Sequence, residues 1–217
     1  MSFKTLIAGA LLAVVGGVLI RWQLAGRFVD EPAYDVERSL GPGVEIRRYA
    51  PRVEARTVVS GASRDAAVNE GFRRLAGYIF GGNQARRSVA MTAPVLQASA
   101  SERIAMTAPV MQATAADGGW LITFVMPPGS SIESLPTPND DRVVLGVVPE
   151  ERIAVLRYSG STDGEVVRRR TGELEDVLSR EGLHAAGEAV SARYDPPSTL
   201  PLLRRNEIWI PLPPAPN

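Results

Sequence analysis

Few side chains in this chain of 217 residues could act as nucleophiles, bases or metal ligands. The sequence has no cysteine and one histidine, His184. It therefore offers no disulfide, no thiolate nucleophile and no iron–sulfur ligand set. We also find no G-x-S-x-G nucleophile motif, no phosphate-cradling glycine loop and no spaced cluster of metal-binding residue types. From these residues we expect no enzyme activity.

Charge argues against a polyanionic partner. Lysine plus arginine and aspartate plus glutamate number 24 each, so the formal net charge is zero. A balanced surface gives no electrostatic reason to expect nucleic acid as a partner.

Methionine is the other residue type with ligand chemistry. The string AMTAPV occurs at Ala90–Val95 and again at Ala105–Val110, a spacing that suits two neighbouring strands. The proline in each copy must lie at a strand start, an edge or a bulge, because it cannot donate to a central ladder. Two interpretations remain open: Met91 and Met106 fill gaps in the core, or one thioether lies beside a bound ligand.

The N-terminal segment, residues 1–27, has the pattern of a membrane-directed sequence. Lys4 precedes an apolar run without charge, Leu6–Ile20, which ends at Arg21. About fifteen apolar residues are few for a spanning helix and suitable for the core of a signal peptide. We favour an uncleaved anchor, with a periplasmic or extracytoplasmic domain, and keep cleavage and secretion as the alternative. Basic residues on both sides give weak evidence for orientation.

Residues 28–212 are predicted to form one domain, followed by a proline-rich tail at 213–217. Strands are indicated at Val44–Tyr49 and Val53–Val59. A helix is predicted after Ser63, a good N-cap, and it should end near Gly81. The apolar side chains at helical spacing are Val68, Phe72, Leu75, Ala76 and Ile79.

The second half repeats this order. Strands at Val143–Val148 and Ile153–Tyr158 lead through Ser159–Asp163 into a helix that should end at Gly182. Its inward residues are predicted to be Val167, Leu174, Val177 and Leu178. Further strands are predicted at Val89–Gln97, Ile104–Ala113, Trp120–Met126, His184–Tyr194 and Glu207–Ile210. The repetition predicts an α+β fold from an internal duplication, with two antiparallel sheets, one helix on each, packed about a pseudo-two-fold axis around an apolar space. Such a space is a natural ligand site.

A loop near the C-terminus carries large apolar side chains where polar ones are usual. Leu200, Leu202 and Leu203 lie between Ser198 and Arg204. Two interpretations stay open: the loop folds over the core and buries its leucines, or it is a mobile flap over a hydrophobic ligand.

Several separated strings resemble the SOUL/heme-binding-protein family, in the family's order and spacing. They are Gly71-Phe72, Tyr78-Ile79, Gly82-Asn83, Met91–Val95, Tyr194–Pro197 and Arg204–Trp209. The resemblance runs from about Tyr34 to Leu212. It implies a distorted β-barrel of two related halves, each with one main helix, and reversible, non-covalent binding of heme or another tetrapyrrole.

The resemblance also implies a location for the ligand, against the first helix and the loop before Arg204, with basic side chains at the propionates. The corresponding positions here are Asn69, Gly77 and Leu200, none of which is basic. Arg64, Arg73, Arg74 or Arg204 could substitute. The residues expected around the ligand are therefore Val68, Asn69, Phe72, Arg73, Leu75, Met91, Met106, Leu200, Leu202 and Leu203.

His184 is the one imidazole available as an axial iron ligand. It lies at the predicted start of a strand after the second helix, and nothing in the sequence places it near the first. We therefore expect the porphyrin to be held mainly by apolar contact, and the protein to act as a membrane-tethered carrier or buffer of heme. Two alternatives remain: a binder of other amphipathic small molecules, and an interaction module without a ligand.

Overall fold

The computed structural model of the protein describes residues 30–61, 63–99, 119–196 and 198–215. These contain nine β-strands and two α-helices. The strands are β1 (Tyr34–Gly41), β2 (Val44–Tyr49), β3 (Arg52–Val59), β4 (Val95–Ser99), β5 (Trp120–Val125), β6 (Val144–Val148), β7 (Glu151–Tyr158), β8 (Val190–Arg193) and β9 (Asn206–Leu212).

The helices are α1 (Arg64–Ile79) and α2 (Gly164–Arg180). The first begins at Ser63, the N-cap that the sequence predicts, and the second at Asp163, the last residue of the segment predicted to lead into it. Ser63 Oγ accepts from the Ala66 N–H at 3.4 Å. Asp163 Oδ1 accepts from the Val166 N–H at 2.9 Å. These bonds satisfy donors that the first helical turn leaves without partners.

All nine strands form one antiparallel sheet, in the order β1-β2-β7-β9-β8-β4-β5-β3-β6. The first half of the chain contributes β2, β3, α1, β4 and β5, and the second contributes β6, β7, α2, β8 and β9. When each strand from β2 onward is exchanged for its counterpart, the order reads the same backwards. The duplication expected from the sequence is thus present in the topology, with the pseudo-two-fold axis between β4 and β8.

The expectation of two separate sheets is wrong. β4 pairs with β8 through Val95 opposite Arg193, Leu96 opposite Ala192 and the next pair along, which joins the halves into one sheet. The sheet curls into a half-barrel whose outer strands are β1 and β6. Among the described residues these two strands do not pair, so the barrel is not closed.

Several element boundaries also differ from the prediction. β4 begins at Val95 instead of Val89, directly after the cis peptide bond between Ala93 and Pro94. β8 covers Val190–Arg193, a short part of the strand predicted from His184. β1 was not predicted; its side chains are exposed or half-buried along an edge, so it lacks an apolar alternation. The predicted strand Ile104–Ala113 and the segment 1–27 lie outside the described residues.

Three groups of buried side chains form the core. The helix face of the sheet carries one under α1, with Leu75, Ile79 and Ile122, and one under α2, with Leu174 and Ile208. The third, called the central core here, lies on the opposite face and takes residues from both halves. Its members are Tyr49, Ala93, Leu96, Val125, Ile153, Val155, Ala192, Tyr194 and Trp209.

Neither helix in the described part of the chain has the length and hydropathy needed to cross a membrane.

Candidate functional site

A groove beside the C-terminal half of α1 has a volume of about 490 Å³. This size lies within the range of small-molecule sites. The residues that line the groove come from α1, the turn after it and the loop before β6. They are Glu70, Arg73, Arg74, Gly77, Tyr78, Gly82, Asn139, Asp140 and Arg142.

The groove holds three arginines and two carboxylates. Arg142 donates from Nε and Nη2 to both oxygens of Asp140, each at 2.8 Å. The hydrogen bond from Arg142 lowers the pKa of Asp140 to about 2. On the helix, Glu70 accepts from both Arg73 and Arg74. The arginines outnumber the carboxylates, so the groove carries a positive excess that attracts anionic groups.

Two of these arginines are accessible to a ligand. The side chains of Arg73 and Arg142 are 73% and 57% exposed. Arg74 is 15% exposed and also donates to the backbone carbonyl of Val58 at 3.0 Å. A carboxylate in the groove would therefore bind Arg73 and Arg142, while Arg74 stays attached to the sheet.

Gly77 keeps the middle of the groove open. A Cβ atom at this position would meet nothing within 4 Å. The neighbouring Tyr78 is buried, and its hydroxyl donates to the Pro136 carbonyl at 2.9 Å, which ties the helix to the loop before β6. Gly77 is one of the positions where the family resemblance led us to expect a basic side chain.

The other flank of α1 is apolar. Phe72 is 39% exposed, and its ring stands edge-to-face on Phe124 of β5 with the centroids 5.3 Å apart. Val68 is half-buried and Asn69 is exposed. Leu75, expected at the ligand, is instead fully buried in the core under α1. At 100° per residue, the surface from Phe72 through Asn69 and Arg73 forms the solvent side of the helix.

The leucine loop is exposed. Leu200, Leu202 and Leu203 are 59%, 86% and 45% exposed, around a 3₁₀ turn at Pro201–Leu203. Burial of these leucines against the core is therefore wrong as an interpretation. The Gly160 N–H donates to the Pro201 carbonyl at 2.9 Å, which holds the loop near the start of α2.

The predicted ligand residues divide between the two ends of α1. At the start of the helix, the side chain of Arg64 donates to the Thr162 carbonyl at 2.6 Å. The leucine loop contacts Gly160, two residues before Thr162, so the loop lies toward this end of α1. The groove lies at the other end of a helix that is about 24 Å long. Val89, two residues before Met91, lies at the C-terminal end of α1, where its N–H donates to the Ile79 carbonyl at 2.7 Å, but Met91 is not among the residues that line the groove. Met91 is 37% exposed, and Met106 lies outside the described residues.

His184 is exposed and follows α2. The two helices begin beside each other, as the contact between Arg64 and Thr162 shows, and His184 lies beyond the far end of α2. The structure does not bring it to α1. Within the described residues, no three side chains of histidine, aspartate or glutamate form a group that could hold a metal ion.

A buried polar network joins strings that carried the family resemblance. Glu207 is fully buried and accepts from Arg47 at 3.1 Å, Arg205 at 2.9 Å, Tyr194 at 2.8 Å and Trp209 at 2.8 Å. Burial raises the pKa of Glu207, but the charges of Arg47 and Arg205 outweigh burial and hold it below the usual value. The carboxylate accepts from four protein side chains, so its hydrogen-bonding capacity is met within the fold. Sequence spacing did not reveal it, because Arg47 comes from β2.

Comparison with known proteins gives one family. A sequence model described as SOUL heme-binding protein matches residues 29–211. Heme-binding protein 2 of Homo sapiens is 27% identical over 191 residues, which are 86% of this chain and 87% of that protein. Heme-binding protein 2 of Mus musculus is 26% identical over 187 residues, 84% of this chain and 85% of that protein.

Solved structures share the fold at low identity. The C-terminal domain of EcmrR superposes with a TM-score of 0.57 at 9% identity, covering 84% of this chain and 99% of that one. An uncharacterized conserved protein from Listeria innocua gives 0.56 at 12% identity, covering 78% of this chain and 92% of that one. These likenesses concern the fold alone.

Proposed function

Because the chain belongs to the SOUL heme-binding protein family, we propose that it binds heme or a related tetrapyrrole reversibly and does no chemistry on it. The observation that carries the proposal is the groove beside α1, with its excess of arginine and its open position at Gly77. A tetrapyrrole is a flat apolar ring with carboxylate side chains, so it needs an apolar wall and cationic partners.

The residues on α1 fit both requirements. Arg73 and Arg142 would receive the carboxylates, and the ring would lie across the solvent side of the helix with one edge on Phe72. Arg142, from the loop before β6, takes in this arrangement the role of the basic side chain that the family resemblance led us to expect at Gly77.

Bound heme would supply an iron atom, and α1 offers it no imidazole ligand. Met91 carries a thioether, which is a weak donor, and it does not line the groove. Binding should therefore depend mainly on the ring and the carboxylates. We expect metal-free protoporphyrin to bind within about tenfold of the affinity for hemin.

The first experiment is a titration of the purified full chain with hemin, recording the Soret band. We expect a shifted band that saturates at one equivalent. Spectra that keep changing without saturation, like those of aggregated hemin, would count against the proposal. A parallel titration with metal-free protoporphyrin tests the role of iron.

Single substitutions locate the site. Phe72→Ala and Arg142→Gln should each weaken binding, the second by about tenfold because a charge-assisted hydrogen bond is lost. The matched control is Arg169→Gln, an arginine on α2 that is 58% exposed, and it should bind like the wild type. His184→Ala should also bind like the wild type. Intact binding by Phe72→Ala together with loss in His184→Ala would reverse our assignment of the site.

The exposed leucines favour a second candidate, a site for another amphipathic molecule at the leucine loop. Leu202→Ser separates the two, since Leu202 lies at the far end of α1 from the groove. Unchanged hemin binding in this variant is expected if the tetrapyrrole lies in the groove, and weaker binding would count against the groove and favour a ligand covered by the leucine loop.

We also propose that the protein is a membrane-tethered carrier or buffer with its domain on the extracytoplasmic side. Support comes from the apolar run Leu6–Ile20 in the sequence alone. Membrane fractionation after a high-salt wash, followed by protease treatment of intact cells or spheroplasts, tests both the attachment and the side.

A further inference from the structure

The two helices begin at the pseudo-two-fold axis, above the pairing of β4 with β8. Gln97 of β4 lies opposite Ser191 of β8, and both face the helices. Arg193 follows on the same face of β8. Arg64 opens α1, and Tyr158 ends β7. These five residues, with the Thr162 carbonyl, are called the helix junction here.

The helix junction concentrates positive charge. Arg64 Nη1 and Arg193 Nη2 both donate to the carbonyl oxygen of Thr162, at 2.6 and 3.3 Å. Burial lowers the pKa of both guanidinium groups, and the charge of Arg193 lowers that of Arg64 further. One neutral carbonyl oxygen thus accepts hydrogen bonds from two cationic side chains.

Nearby carboxylates offset the charge of this pair only in part: Asp65 raises the pKa of both arginines and Asp163 that of Arg64, yet both pKa values stay below normal. Asp65 is 3.9 Å from Arg64 and 72% exposed, so water screens its charge. Asp163 is engaged in capping α2. Among the described residues, Arg193 has no ion pair with a carboxylate.

Several buried polar atoms of the helix junction have no hydrogen-bond partner in the described part of the chain. They are Arg64 Nη2, Arg193 Nε, Tyr158 OH, Ser191 Oγ and Gln97 Oε1. Gln97, Ser191 and Tyr158 are 4%, 3% and 6% exposed. Folded proteins rarely leave such groups unpaired, because each loses its hydration without compensation. Four of the five atoms can donate.

We propose that the helix junction binds a small oxyanion, a phosphate or a carboxylate, between Arg64 and Arg193. Guanidinium groups pair well with both anions, and the hydroxyls of Tyr158 and Ser191 add two donors. A metal cation is excluded by the excess of positive charge. Thr199, in the leucine loop, also has a buried hydroxyl without a hydrogen-bond partner in the described part of the chain.

This site is separate from the groove proposed for the tetrapyrrole. The groove is formed from Glu70 onward along α1, whereas the helix junction lies at Arg64 and the first residues before α2. The outcome for one site therefore does not decide the outcome for the other.

The test is calorimetric titration of the full chain with inorganic phosphate and, separately, with acetate, at constant ionic strength set with chloride. We expect one saturable site for at least one anion, and the stronger binder identifies the class. Arg193→Gln should reduce its affinity at least tenfold, and Tyr158→Phe should reduce it severalfold while keeping the buried ring. Arg38→Gln, an arginine on the edge strand β1 that is 54% exposed and lies outside both sites, is the matched control and should bind like the wild type.

Thermal unfolding gives a second measurement, which remains usable for a variant that is less stable than the wild type. In chloride alone, Arg193→Gln should be at least as stable as the wild type, because one of two repelling charges is gone. Phosphate or acetate should then stabilise the wild type more than Arg193→Gln. Absence of saturable heat with both anions, or equal affinity in Arg193→Gln and the wild type, would overturn the proposal.

Discussion

Glu207 shows how a single side chain can connect distant parts of this chain. Its carboxylate lies between two guanidinium groups, one from β2 and one from the residue string that precedes β9. Removing a buried charge leaves its partners uncompensated, which costs far more than the pair itself contributes.

We expect Glu207→Gln to lower the free energy of unfolding by about 3 to 5 kcal/mol, because Arg47 and Arg205 would stay buried without their counter-charge. Urea denaturation followed by circular dichroism measures the change. The control is Glu150→Gln, an exposed partner of Arg48 at 3.9 Å, which should cost less than about 1 kcal/mol. Equal losses of stability in the two variants would mean that the buried network stabilises the fold no more than an exposed ion pair does.

The same carboxylate should make stability depend on acid. Burial raises the pKa of Glu207, the two arginines lower it more, and the net pKa is below that of the unfolded chain. The stabilisation is therefore complete above the unfolded pKa and is lost as the pH falls through the folded one. Urea midpoints measured from about pH 7 to about pH 3 should decline less steeply for Glu207→Gln than for the wild type.

At the residue scale, the sequence predicts the family-like strings but not the contacts between side chains that are distant in the chain. The Arg204–Trp209 string was recognised, but its pairing with Arg47 depends on strand order, which residue spacing does not contain. Likewise, Phe72 and Leu75 belong to one apolar stripe in the sequence, yet the curvature of the helix surface buries Leu75 and leaves Phe72 half-exposed. The helix junction was not predicted, although Arg64 was named as a possible propionate partner, because its five residues come from four separate elements: α1, β4, β7 and β8.

Two glycines of α1 show where the helix packs closely on the sheet and where it does not. A Cβ atom on Gly71 would lie 2.4 Å from Cγ1 of Ile122 on β5, whereas one on Gly77 would meet nothing within 4 Å. Gly71 therefore permits close packing of helix against strand, and Gly77 costs helix stability without any packing need.

We expect Gly71→Ala to destabilise the protein by about 1 to 3 kcal/mol through overpacking. Gly77→Ala should stabilise it by about 0.5 to 1 kcal/mol, because alanine restricts the unfolded chain and favours the helix. The two variants carry the same chemical change six residues apart, so their thermal midpoints make a matched comparison. Destabilisation by both would mean that the groove around Gly77 has less space than the structure gives it.

Elements were predictable where local chemistry decides them. Both helices start at capping residues and keep a 3.6-residue apolar period, and both were found. Strand limits failed where tertiary contacts decide, as at β4 and β8, and the edge strand β1 carries no alternation to detect.

At the scale of the whole molecule, the two halves exchange strands. β2, from the first half, pairs in the sheet with β7 of the second, and β6, from the second half, pairs with β3 of the first. The central core likewise draws on both halves. Neither half can complete its sheet or its core alone, so we expect one cooperative unit.

Leu75→Ala and Leu174→Ala test this unity, since both side chains are fully buried, one under each helix. Each should destabilise by about 2 to 5 kcal/mol through the cavity it leaves. Both should move a single urea transition that circular dichroism and tryptophan fluorescence report together. Separate transitions, with only one shifted in each variant, would show that the halves unfold independently.

The symmetric strand order also determines when each strand can pair during synthesis of the chain. Val44 must wait for Leu156 before β2 gains its neighbour toward the sheet centre, and β4 must wait for β8. A ribosome that has released only the first half holds a chain with open strand edges and part of an exposed apolar core, the condition that invites aggregation. The native state therefore forms only after nearly the whole chain has emerged. Until then the nascent chain is exposed to aggregation unless other molecules cover its open edges.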